Sequence, residues 1–233
     1  MNKNDGLVDS SWNILYKIGG ISAILYVLLA VVIPFFMFIN HTELVGMVNG
    51  FQLMNYIQQN GSIWWLSLQT LVLCGSFFAI TTFAALFIVL KRLEKSLAAI
   101  GSLLAIVMHI LFIAYYPILL GITTLFDGFQ TATQTQQASL ASAAEALLAM
   151  NNAFNPVYET VFAISILILS IVMLKGIFNK KIAYIGIATG ISEFILISLF
   201  PVIGVNYFWW WMFFNVWFVL IGVKLYRLGK LTP

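Results

Sequence analysis

The chain of 233 residues is 62% hydrophobic and only 8% charged, with 20 Phe and 7 Trp. A water-soluble domain of this length has too little polar surface to cover so much apolar side chain, so a lipid bilayer is the expected solvent. The formal charge of +3 is small, and the lone Cys74 excludes an internal disulfide framework and matches no thiolate metal motif.

Crossing roughly 30 Å of hydrocarbon at about 1.5 Å per residue takes about 20 residues of helix. Unbroken apolar runs meet that need near residues 18-39, 63-90, 97-121, 157-174, 182-203 and 209-223. The predicted fold class is therefore all-α, a polytopic membrane protein with six transmembrane helices in a single membrane domain covering 1-233. The first run follows the polar head MNKNDGLVDSSWNILYK. It is too long for a signal-peptide core and lacks a small-residue cleavage site, so it is expected to stay as an uncleaved span.

Between the first and second spans, residues 43-58 place apolar positions at helical spacing. The segment 138-152 does the same with Leu140, Ala144, Leu147 and Leu148, and Asn155-Pro156 is expected to stop that helix and begin the next. Two short amphipathic outer helices are thus predicted. Trp64, Trp65 and Trp209 to Trp211 fall at outer span ends, where aromatic side chains anchor a helix at the interface.

Every basic residue falls on one side of this six-span arrangement. Lys3 and Lys17 precede the first helix, and Lys91, Arg92 and Lys95 join the second to the third. Lys175, Lys180 and Lys181 join the fourth to the fifth, and Lys224, Arg227 and Lys230 follow the sixth. The positive-inside rule then puts both termini in the cytoplasm. The net charge reflects topology and is no argument for a nucleic-acid partner.

Three spans share a template. The first, third and fifth each begin with Ile-Gly, at Gly19, Gly101 and Gly186, and reach Pro34, Pro117 and Pro201 after 15, 16 and 15 residues. Tyr26, His109 and Glu193 each stand eight residues before the proline. At the end of the second and fourth spans Val89-Leu90-Lys91 matches Met173-Leu174-Lys175, at the same offset of 84 residues that separates His109 from Glu193. The pattern suggests three parallel hairpin repeats about an axis along the membrane normal. Small residues for helix packing and tolerated prolines also account for parts of it without common descent.

Register and depth give Glu193, inside the apolar run ISEFILISLFP, an inward direction. An ionised carboxylate facing lipid costs roughly 2.5 to 3.5 kcal/mol or more, and burial beside His109 or Tyr26 offsets much of that. Glu193 is either neutral, donating a hydrogen bond to a carbonyl or to His109, or ionised against a cationic His109. Glu159 lies about one turn further out, followed by Asn155, with Asn215 on the last span. Glu193, His109, Glu159, Tyr26, Asn155 and Asn215 are the candidate ligand-binding residues. Glu43, Asp127 and Glu145 add negative charge to outer loops and read as a hydrated loop surface.

Motifs for catalysis are nearly absent. Two histidines, His41 and His109, make no His-x-x-x-His or His-Glu-x-x-His pair, and no phosphate-binding loop or nucleophile elbow occurs. A metal held by Glu159, Glu193 and His109 is compatible with their ligand chemistry but no spacing supports it. No lysine lies within a span to anchor retinal. No cofactor and no catalytic residue is assigned.

The segments ASAAEALLAMNNAFNPVYETVFAISILILSIVMLK, KKIAYIGIATGISEF and FNVWFVLIGVKLYRLGK, with the amino-terminal YKIGGISAILYVLLAVV, resemble the bacterial membrane-protein family catalogued as domain of unknown function 4386. The resemblance implies a bacterial integral membrane protein of about this size and span count, and it carries no functional residue with it. The leading expectation is an inner-membrane protein that binds or transports a small cationic, protonatable or amphipathic ligand within the bundle. The alternatives are a structural or regulatory partner protein, and an intramembrane lipid-modifying enzyme using Glu193 or His109 as acid or base. Membrane lipids are the expected partners, and the oligomeric state is left open.

Overall fold

The computed structural model describes residues 9–40, 49–203 and 208–230. His41, Glu43 and Asn206 lie outside the described residues, as do the side chains of Trp64, Trp65, Asn151, Asn152, Asn155 and Trp209 to Trp211. Among the described residues a 3-10 turn at Ser10–Trp12 is followed by seven α-helices: α1 (Asn13–Asn40), α2 (Gly50–Asn60), α3 (Ser62–Leu90), α4 (Lys95–Thr131), α5 (Gln134–Met173), α6 (Lys180–Ile203) and α7 (Phe208–Leu228). Among the described residues the fold is all-helical. Four stretches of the described residues are long and apolar enough to cross a membrane: Ser10–Val31, Thr70–Leu90, Lys95–Thr131 and Pro156–Met173. Helices α6 and α7 occupy the positions of the fifth and sixth expected spans.

Two boundaries differ from expectation. Helix α4 does not end near 121 but continues through Pro117 to Thr131, and Asn155-Pro156 does not separate an outer helix from a span. Residues 138-152 belong to α5, which runs unbroken through Pro156. Only one of the two outer helices, α2, is therefore a separate element. At about 1.5 Å per residue α4 and α5 are about 55 and 60 Å long, nearly twice the hydrocarbon thickness. Their far ends form a hairpin over Ala132 and Thr133, with Gln136 Oε1 accepting from the Thr133 backbone N–H at 2.9 Å to start α5.

The projecting hairpin packs on α2. Leu53, Met54, Tyr56 and Ile57 of α2 meet Ile122, Phe126 and Phe129 of α4 and Ala141 and Ala144 of α5 in a core of their own. This burial overrides the local preference of the residue before proline for a non-helical backbone. Glu145, expected on a hydrated loop surface, accepts from the Gly50 backbone N–H at 3.1 Å, and Asn49 Oδ1 accepts from Phe51 N at 2.8 Å. Both acceptors cap the start of α2, where free N–H groups favour negative charge. Gly61, at φ +87°, then turns the chain directly into α3.

The six long helices close on themselves. Each packs against the next in chain order, α1 on α3, α3 on α4, α4 on α5, α5 on α6 and α6 on α7, and α7 returns onto α1. Two cross-contacts join α3 to α5 and to α7, so these three helices meet in the middle. The Ile-Gly glycines each lie where two of these helices meet. Gly19 is pressed against Ala85 and Thr82 of α3, Gly101 against Leu169 of α5, and Gly186 against Trp217 of α7 and Ser170 of α5. The Gly19 carbonyl accepts from Thr82 Oγ1 at 3.0 Å and the Gly101 carbonyl from Ser165 Oγ at 2.8 Å. The buried hydroxyls of Thr82 and Ser165 are thus satisfied by backbone that only a missing side chain leaves within reach.

The start of α1 and the ends of α3, α5 and α7 gather at one end of this ring. Arg92 pairs with Asp9 at 2.6 Å, Lys175 pairs with Glu94 at 2.7 Å, and Gly229 lies against Lys17 and Asn13. The described Lys and Arg residues collect there, opposite the α4–α5 hairpin.

Candidate functional site

Aromatic side chains of α3, α5 and α7 fill the middle of the ring, and Tyr26 of α1 and His109 of α4 meet them. Phe214, Trp217 and Phe218 of α7 recur at i, i+3 and i+4 and are buried, as are Phe83 of α3 and Phe162 of α5. Tyr26 of α1 stands edge-on to Phe218 at 5.0 Å between ring centroids and to His109 of α4 at 6.2 Å. His109 is 4% exposed and lies 5.6 Å from Phe162 and 6.0 Å from Phe83. Phe162 and Phe214 close the set at 5.0 Å. Five of the six long helices contribute to this hub, at spacings that leave the rings in contact.

The sixth contributes a carboxylate. On α6 Gly186, Gly190 and Glu193 recur at i, i+4 and i+7 and share one face. Gly186 meets Ser170 and Gly190 meets Leu167 and the Ala163 carbonyl, all on α5. Since α5 runs antiparallel, one further turn along this face puts Glu193 towards α5 near the level of Glu159. Glu193 is fully buried, and among the described residues neither of its carboxylate oxygens has a hydrogen-bond partner.

His109 and Glu193 are buried and Tyr26 partly so, but the expected hydrogen bond between Glu193 and His109 is not made. His109 Nε2 likewise has no hydrogen-bond partner among the described residues. The reason is the aromatic enclosure of His109, which surrounds its ring with Phe83, Phe162 and Tyr26. Glu159 and Tyr158 sit partly buried on α5 at the outer edge of the hub, where Tyr158 stacks edge-on with Phe112 at 5.5 Å. Asn215 is 4% exposed beside Phe214. Asn155 lies on α5, one turn beyond Glu159. Among the described residues no three His, Cys, Asp or Glu side chains gather closely enough to hold a metal, so Glu159, Glu193 and His109 form no such cage.

The aromatic hub escaped the reading of polar residues along the spans, although the spacing of Phe214, Trp217 and Phe218 carries its signal. What the arrangement offers chemically is a pair of carboxylates on facing helices, one fully enclosed, above a floor of aromatic rings. Removing a carboxylate from water without hydrogen bonds or a counter-charge costs several kcal/mol, of order 3–5 when an ion pair is broken this way. A cation or a shared proton relieves that cost. No known family model, curated protein or solved structure matches this chain.

Proposed function

We propose that the protein is a bacterial inner-membrane protein with both termini cytoplasmic, in which α1, α3, α4, α5, α6 and α7 all span the bilayer as three like hairpins, and that it binds a small cationic or protonatable amphipathic ligand in the outer half of the ring. The observation that carries the reading is the fully buried Glu193 carboxylate, without a hydrogen-bond partner among the described residues and on the face of α6 that packs against α5. A positive charge placed between the two carboxylates neutralises both, and the rings below offer apolar and cation–π surface to the rest of the ligand. The gathering of basic side chains at one end of the ring supports the orientation. Membership of the family catalogued as domain of unknown function 4386 belongs to the same proposal.

The hub constrains any step after binding. Ring centroids 5.0 to 6.2 Å apart across five helices leave no open passage at that level, so passage of a ligand to the other side requires the rings to part. Binding is therefore the primary activity and transport a second step. Equilibrium binding of tetraphenylphosphonium to the purified protein tests the first. Glu193→Gln should weaken it by more than about tenfold, the loss expected when one member of a desolvated charge pair is removed; affinity equal to that of the unaltered chain would sink the assignment.

One observation favours the structural alternative. The α2 cap on the α4–α5 hairpin is a second packed core beyond the length needed to cross a membrane, and such a platform suits a partner protein. Co-purification of a stoichiometric partner that is lost on removing residues 50–60, together with indifference to Glu193→Gln, would favour that reading over ligand binding.

A further inference from the structure

Three helix pairs meet at the basic end of the ring, and they are not alike in charge. In the first, Asp9 just ahead of α1 pairs with Arg92 just after α3. In the second, Glu94 just ahead of α4 pairs with Lys175 just after α5. The third pair is α6 with α7, and the residue just ahead of α6 is Asn179. Asp9, Glu94 and Asn179 are spaced by 85 residues each time. Local geometry supports the equivalence: Asp9 Oδ1 accepts from the backbone N–H of Ser11 at 3.1 Å, and Asn179 Oδ1 from that of Lys181 at 2.9 Å. At the third joint the acid is thus replaced by its neutral amide.

The basic partners are still there. Lys224 and Arg227 stand on the last turns of α7, and among the described residues neither is in an ion pair. In place of a salt bridge the joint holds a cleft of about 290 Å³ lined by Asn179, Ile182, Leu220, Val223, Lys224 and Arg227. Ile182, Leu220 and Val223 give it an apolar wall, and the rest of its lining is two cations and an amide, with no carboxylate.

We propose that this cleft is a binding site for the phosphate headgroup of an anionic phospholipid, with Lys224, Arg227 and the Asn179 amide on the phosphate and the apolar wall on the first part of an acyl chain. The charge of the rim selects an anion, and the combination with an apolar wall continuous with membrane-facing helix selects one that carries a hydrocarbon chain. Phosphate alone would use the rim and leave the wall uncovered. The lipid supplies at the third joint the negative charge that Asp9 and Glu94 supply at the other two, joining α6 to α7. The site is separate from Glu193 and Glu159, and it requires only that the ring lie in a bilayer.

Native mass spectrometry of the full chain released from nanodiscs of phosphatidylglycerol and phosphatidylcholine, matched in acyl chains, reads the site directly. One phosphatidylglycerol should be retained in preference to phosphatidylcholine, and the double variant Lys224→Gln with Arg227→Gln should lose that preference by about thirtyfold, the effect of two cations at a membrane surface. Asn179→Asp is the second variant, because it restores the acid of the other two joints and should close the cleft with an ion pair, lowering lipid retention while leaving folding intact. Lys175→Gln, at a joint already paired, should change nothing. Equal retention of the two lipids, or an unaltered preference in both Asn179→Asp and the double variant, would overturn the proposal. So would displacement of the bound lipid by inorganic phosphate at equal concentration, since the site would then belong to free phosphate.

Discussion

Glu193 is the residue on which most depends, and the alternatives for it differ in sign. A carboxylate kept only to fix helix register should be missed when it goes. An unpartnered carboxylate kept for a ligand should be costly when the ligand is absent. In the absence of added cation, Glu193→Gln is therefore expected to leave the thermal midpoint unchanged or raise it, because a neutral amide is cheaper to bury than a carboxylate without a hydrogen bond; a marked fall would identify a structural role. Asp9 behaves in the opposite way. Two hydrogen bonds from Ser11, from its backbone N–H and its hydroxyl, and then Arg92 hold its carboxyl below the ordinary value of 3.8. A lowered folded value means that its stabilisation is present above the unfolded value and is lost as pH falls through the folded one. Amide hydrogen exchange across residues 10–13 should be protected at pH 5 to 7 and released below about pH 4, and Asp9→Asn should show the released pattern throughout. The inward direction of Glu193 was legible because a lone charge in an apolar run has nowhere cheaper to go. Its separation from His109 was not, because the ring that encloses His109 comes from three other helices.

At the scale of elements, local rules failed where tertiary packing was strong. Asn155-Pro156 reads as a boundary, yet α5 passes through it because the segment before it is held by α2 and the end of α4. The outer core is therefore expected to behave as a unit. Phe126, 1% exposed at its centre, should cost about 3–5 kcal/mol on replacement by Ala, with exchange protection lost over α2 and the hairpin tip and retained in the ring; protection lost uniformly would show that the two cores fold as one. The Ile-Gly dipeptide, by contrast, was informative in the sequence. Gly186 has Trp217 and Ser170 where a side chain would stand, and Gly186→Leu should destabilise the α6 joint by about 1–3 kcal/mol, measured by denaturant titration in detergent.

On the scale of the whole molecule, the sequence pattern of glycine and register residue on α1, α4 and α6 corresponds to a closed ring in which these helices carry Tyr26, His109 and Glu193 and α3, α5 and α7 carry the aromatic filling. The long helices and the one-sided distribution of Lys and Arg were readable directly, since apolar length and charge are properties of single segments. Ring closure by α7 on α1 and the filled centre were not, since both depend on contacts between segments far apart in the chain. Six spans make a specific topological prediction. In a Cys74→Ser background a cysteine at Gly176 should react with an impermeant thiol reagent only from the side of the termini, and one at Ala132 only from the opposite side; labelling of both from one side would remove the six-span arrangement.

In the proposed site Glu193 itself meets the ligand's positive charge, and the most direct measurement is the infrared difference spectrum of the protein in lipid on adding tetraphenylphosphonium. A change in the carboxyl-stretching region that is absent from Glu193→Gln is the result expected. Saturable binding of the cation with no carboxyl change, or with the same change in Glu193→Gln, would contradict that assignment and place the ligand elsewhere on the molecule.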